Sequence, residues 1–107
     1  MKETVYMFKV DAQYRIMLTS MTQIIYDFNR TVYIKLQVID EQKYIQISGH
    51  KIEFYQAIST MDQKGRFVLP KEVRQKFDIQ KGDSFEAYED EVDSNKRSLL
   101  LKKVLKR

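Results

Sequence analysis

Ser59-Thr-Met-Asp-Gln-Lys-Gly-Arg-Phe-Val-Leu-Pro-Lys-Glu-Val-Arg-Gln-Lys-Phe-Asp-Ile-Gln-Lys-Gly-Asp-Ser-Phe-Glu-Ala-Tyr88 is the stretch that decides the fold of this chain. Gly65 suits a tight turn that demands positive φ. Asp62, three residues earlier, can accept hydrogen bonds from the amides of that turn or pair with a nearby arginine. Strands are predicted on either side, Tyr55–Met61 and Arg66–Leu69. Pro70 suits the first position of a helix, where a missing N–H costs nothing. The helix Lys71–Phe77 spaces Val73 and Phe77 four apart and sets Glu72 ahead of Lys76 in favourable polarity. Gly82-Asp83 turns the chain into a strand over Ser84–Glu89. A polar loop, Asp90–Lys96, and a last strand, Arg97–Val104, complete the unit.

The same order of elements precedes it. Val5–Val10 and Arg15–Leu18 read as strands around a turn at Asp11–Tyr14. Ser20 and Gln23 have the spacing of a capping box. Met21, Ile24, Ile25 and Phe28 then fall on one helix face. Val32, Ile34, Leu36 and Val38 alternate as a half-buried strand, and Tyr44–Ile47 returns after a turn at Asp40–Lys43. Laid over one another at an offset of 51 residues, the halves share Asp11/Asp62, Arg15/Arg66, Leu18/Leu69 and Asp27/Asp78. Ile16/Phe67, Tyr26/Phe77 and Ile34/Phe85 are apolar in both. Tyr14 stands where Gly65 does, Thr19 where Pro70 does, and Asn29-Arg30-Thr31 where Gln80-Lys81-Gly82 does. Residues 1–55 and 56–107 are accordingly read as two repeats, the first degenerate.

The 107 residues allow one compact domain, or two very small ones sharing a core. With 43% apolar and 32% charged residues, a packed core with a wet surface is expected, not a disordered chain. No apolar run has membrane-spanning length and no secretory signal is recognised, so a cytoplasmic protein is expected. The absence of cysteine removes disulfides, thiolate metal sites and cysteine nucleophiles, and a single histidine cannot build a multi-histidine metal centre. No nucleophile–base pair or phosphate loop stands at usable spacing, so neither an enzyme nor a cofactor is expected. Net charge is +4, and residues 56–107 hold twelve of the nineteen Lys and Arg. That bias suits an anionic partner.

The signature Asp62-x-x-Gly65-Arg66-Phe-Val-Leu-Pro70-Lys71-Glu72-Val73-Arg74, followed by Phe77-x-Ile79 and Gly82-Asp83, resembles the SpoVT/AbrB family of swapped-hairpin DNA-binding domains over residues 57–104. The resemblance implies a mainly β fold with short helices, in which two strand–strand–helix–strand–strand units interleave hairpins into one small barrel. A unit of some fifty residues buries too little surface alone. Two on one chain are similar to the tandem MraZ-like members and would form an intramolecular pseudo-dimer.

The resemblance also implies duplex-DNA binding by a nucleoid-associated transcription regulator, through basic residues around the second strand and the helix start. Here those are Lys64, Arg66, Lys71 and Arg74, with Arg15 holding the place of Arg66 in the first half. Arg66 and Arg74 suit guanine edges, which a planar guanidinium bonds bidentately. Lys64 and Lys71 suit phosphates, and Lys76 and Lys81 extend the surface. The other reading makes these ordinary solvated charges, some paired with Glu72 or Asp78. The first helix carries Ser20, Gln23 and Ile25 where the second has Lys71, Arg74 and Lys76. Its apolar face has two readings, extra core contact within one barrel or an interface making a homodimer of pseudo-dimeric chains. The alternative functions are a MazE-like antitoxin with a toxin partner, opposed by the few residues after the last strand, and a protein-interaction module on the same barrel. His50, the seven tyrosines and the acidic run Glu89–Asp93 are read as solvated, core or rim, and hairpin-tip residues.

Overall fold

The computed structural model describes residues 4–93 and 96–104. Each half runs strand–strand–helix–strand–strand. The first comprises β1 (Thr4–Lys9), β2 (Arg15–Met17), α1 (Ser20–Ile25), β3 (Thr31–Ile39) and β4 (Gln42–Ser48). The second comprises β5 (Ala57–Thr60), β6 (Arg66–Val68), α2 (Lys71–Lys76), β7 (Ser84–Asp93) and β8 (Lys96–Lys103). A six-stranded sheet in the order β1-β7-β8-β4-β3-β5 faces a two-stranded ribbon, β2-β6. Both read the same from either half. The first strand of each half pairs with the third strand of the other, and β2 pairs with β6 across the centre. This is the swapped-hairpin barrel, mainly β with short helices, formed as a pseudo-dimer within one chain.

The strands form where alternation gives each a core face. Ile16 and Phe67 face each other at the centre of the ribbon, and both are essentially fully buried. Ile34, Ile45, Ile47, Phe85, Leu99 and Leu101 line the sheet side of the same cluster. Two backbone bonds lock the halves together reciprocally. Leu18 N–H donates to Gly65 O, and Leu69 N–H donates to Tyr14 O, both at 2.8 Å. Each half therefore closes its second strand on the other half's turn.

Several boundaries differ from expectation. Thr19, not Ser20, is the N-cap of α1, its Oγ1 accepting from Thr22 N–H, while the Gln23 amide donates to Leu18 O instead of closing a capping box. Pro70 likewise occupies the N-cap position of α2, one residue before the helix. Asp40 and Glu41 both have positive φ, so the β3–β4 turn contracts to these two residues, as tight hairpins favour. The polar stretch after Glu89 is largely strand, with β7 reaching Asp93 and β8 starting at Lys96. The third strands match at an offset of 53 rather than 51, because Lys9 faces Ser84 whereas Thr60 faces Thr31. Phe85 consequently takes the place of Val32, not of Ile34.

The connector after β4 lays His50, Lys51, Ile52 and Glu53 over the outer face of the sheet, walling a polar cleft of about 430 Å³ floored by Gln37, Gln46 and Ser98. His50 Nε2 lies 3.4 Å from Asp27 Oδ2. Among the described residues no helix is long and apolar enough to cross a membrane.

Gly65 and Gly82 both have φ above +80°, but their surroundings differ. A Cβ on Gly65 would stand 2.4 Å from Leu18 O and 2.3 Å from the Gln23 side chain, whereas one on Gly82 would meet nothing within 4 Å. Gly82→Ala is expected to cost only the backbone strain, on the order of 1 kcal/mol. Gly65→Ala should cost at least twice that, because backbone must also move. Urea unfolding of the two variants tests the ranking, and equal losses would contradict it.

Candidate nucleic-acid interface

The outward face of the β2–β6 ribbon is set by alternation. With Ile16 and Phe67 turned inward, Arg15, Met17, Arg66 and Val68 turn outward. Arg15 stands across from Val68 and Met17 across from Arg66, so the two arginines lie diagonally about the centre. A two-stranded ribbon is of a width that the major groove of duplex DNA admits.

Each arginine is held by the aspartate of its own turn in the same way. Asp62 Oδ1 accepts from the amides of Lys64 and Arg66, and Oδ2 accepts from Arg66 Nε at 2.8 Å. Asp11 Oδ1 accepts from the amides of Gln13 and Arg15, and Oδ2 from Arg15 Nε at 2.8 Å. Arg15 Nη2 also donates to the Gln13 side chain. A guanidinium held by Nε is oriented while its terminal edge keeps donors for an acceptor beyond the surface. Arg66 keeps more of that edge than Arg15 does.

Lys64 and Lys71 are exposed, the first in its turn and the second at the start of α2. Neither they nor Arg74, Lys76 and Lys81 form an ion pair with a described residue, so the pairing with Glu72 or Asp78 that the alternative reading entails is not found there. Arg74 lies elsewhere than the linear signature suggests. Because β6 runs antiparallel to β2, α2 begins beside the first half's turn, and the Arg74 guanidinium carbon sits 4.2 Å from the centre of the Tyr14 ring. Lys81 Nζ approaches the same ring at 5.4 Å. Arg74 Nε is buried with no described hydrogen-bond partner. A shallow cleft beside it is lined by Tyr14, Lys71, Arg74, Gln75, Asp78 and Gln80, among others. Arg74 thus joins Arg15 at one end of the ribbon, while Arg66 and Lys64 stand at the other, beside α1.

Tyr14 is the site residue that the strand patterns hid among seven tyrosines. Its signal was position. At φ +60° it occupies the place of Gly65, a conformation that bulky residues seldom adopt.

The face of α1 is apolar and open. Met21, Ile24 and Ile25 are exposed, Ile24 to 72%, while Thr22 is the buried residue of the helix. The reading of Met21, Ile24 and Ile25 as extra core contact is therefore corrected. The six-residue helix turns Thr22 and, just beyond its end, Tyr26 and Phe28 inward instead.

Comparisons with known proteins bear on the second half of the chain. The family model described as "Antidote-toxin recognition MazE, bacterial antitoxin" matches residues 58–106. This supports the broad swapped-hairpin kinship of the second half. The chain also superposes on the solution structure of PHS018 from Pyrococcus horikoshii with a TM-score of 0.51 over 99% of both chains, at 16% identity, a likeness of fold alone. No curated protein matches the chain.

Both turn aspartates are held below the usual carboxylate range. At Asp62 the Arg66 amide is the largest cause, joined by the Arg66 guanidinium and the Lys64 amide against desolvation. At Asp11 desolvation is the largest influence and works the other way, but the Arg15 and Gln13 amides and the Arg15 guanidinium outweigh it. A depressed folded pKa gives stability that is complete above the unfolded value, about 3.9, and is lost as pH falls through the folded one. Stability should therefore fall below about pH 4 more steeply in the wild type than in Asp11→Asn/Asp62→Asn. Urea midpoints measured across the acid range check this; parallel slopes would show that the carboxylates carry no such linkage.

Proposed function

We propose that this chain is a sequence-specific double-stranded DNA-binding transcription regulator of the AbrB type, cytoplasmic and nucleoid-associated, with no enzymatic activity and no cofactor. The halves 1–55 and 56–107 act as two repeats of one barrel, the first a degenerate copy. The observation that carries this reading is the pair of aspartate-held arginines on an exposed two-stranded ribbon. The match of residues 58–106 to a swapped-hairpin family supports it. Arg66, Arg74 and Arg15 would read base edges, while Lys64 and Lys71 neutralise phosphates.

The chain would act as a homodimer of pseudo-dimeric chains. The open face of α1 offers Met21, Ile24 and Ile25 to a second copy, and two copies present two equivalent readers to two half-sites. The same face favours a second reading, a MazE-like antitoxin that also holds a protein partner. A pull-down with a toxin encoded beside this gene would select that reading over the first.

A random duplex pool, enriched by retention on the protein and sequenced, should yield a preferred site. On that site Arg66→Ala and Arg74→Ala should each lose about 1–3 kcal/mol and relax specificity, whereas Lys71→Ala should weaken all sequences alike and lower the salt slope by about one. Anisotropy titrations across salt concentrations measure both effects, and wild-type binding by both arginine variants would refute the assignment. Ile24→Asp should shift the sedimentation mass of the chain from dimer to monomer.

A further inference from the structure

We propose that Tyr14 is a positioning residue that presents Arg74 to DNA, so that the unit reading bases at one end of the ribbon combines a turn from the first half with a helix from the second. The inference rests on the DNA-binding reading above and adds a polarity to it.

The geometry is specific. Tyr14 holds a left-handed backbone that costs a bulky residue energy, yet its carbonyl is fixed by Leu69 N–H and its ring carries the guanidinium of Arg74. A ring face beneath a guanidinium leaves the planar edge free for in-plane acceptors, which base edges supply. Arg74 Nε is buried and closed to an arriving group, whereas the terminal guanidinium nitrogens make no hydrogen bond to a described residue and are the donors left for an acceptor. Lys71, Lys81 and the Gln75 amide bring further donors to the same spot, while the Gln80 amide donates to Asp78, whose carboxylate lines the cleft as well.

The other end of the ribbon is built from the equivalent positions with different chemistry. Gly65 replaces Tyr14 and Gln23 replaces Arg74. The Gln23 side chain fills the space where a Cβ on Gly65 would stand, and its amide is spent on Leu18 O. Met21 and Ile24, both exposed, stand at the positions equivalent to Glu72 and Gln75. The Arg74 end therefore gathers Arg15, Arg74, Lys71 and Lys81, whereas the other end holds Arg66 and Lys64 beside the exposed apolar residues of α1. A single barrel would read an asymmetric DNA element with the Arg74 end dominant.

The test uses the intact chain and the site enriched above. Tyr14→Phe keeps the ring and should bind as the wild type does. Tyr14→Gly suits the left-handed backbone and removes the platform, and it should lose about 2- to 30-fold on the selected site, the range open to a cation held over a ring. Its salt slope should stay unchanged, since phosphate contacts remain. Arg74→Ala should lose at least as much, and Tyr14→Gly/Arg74→Ala should lose no more than Arg74→Ala alone. Full affinity in Tyr14→Gly, or additive losses in the double variant, would overturn the positioning role while leaving DNA reading intact. Failure of the wild type to enrich any duplex would remove the reading on which it rests.

Discussion

Each half of this barrel ends its second strand on a turn it does not own. Leu18 bonds Gly65 and Leu69 bonds Tyr14 through the backbone, while Ile16 and Phe67 meet side by side at the centre. Neither half alone can bury Ile16 or Phe67, since each covers the other. The outer strands obey the same rule, with β1 on β7 and β5 on β3. Every later property follows from this exchange. It places the ribbon arginines on one exposed face and delivers α2 to the first half's turn, not to its own.

The turn chemistry shows how little sequence is required to keep that geometry. Asp11 and Asp62 make the same bonds to their turns and to the arginine four residues on. Tyr14 and Gly65 hold the same left-handed conformation within those turns. After the helices, Asp27 and Asp78 both adopt positive φ, a conformation aspartate tolerates better than most residues. Backbone geometry is thus the same in the two halves where their side-chain chemistry differs.

Much of the fold was legible from residues with strong local meaning. The Asp-x-x-Gly turn, Pro70 and the alternation of Val32, Ile34 and Leu36 mark turn, helix and strand without outside help, whereas Val38, expected on the same face, is exposed. What remained hidden was of two physical kinds. First, the two-residue difference between the loops before β3 and β7 shifts the third strands, and no single residue reports it. Second, the partner of Arg74 lies sixty positions earlier in the chain, and only the antiparallel β2–β6 ladder brings Tyr14 beneath it. The face of α1 was left between two readings for a related reason. A helix of six residues has room to bury only one side chain well, and Thr22, which also bonds the Thr19 hydroxyl, is the one that fits.

The connector that crosses behind the sheet joins the two halves covalently. In a barrel made of two identical chains, any change in a side chain is made twice, once on each side of the axis, and a change tolerable on one side must be tolerable on both. Joined end to end, the halves escape that bond. A tyrosine can enter one turn while glycine stays in the other, and an isoleucine can replace a lysine on one helix alone. Covalent union thereby turns a two-fold symmetric molecule into one with a front and a back, free to give each side its own trade.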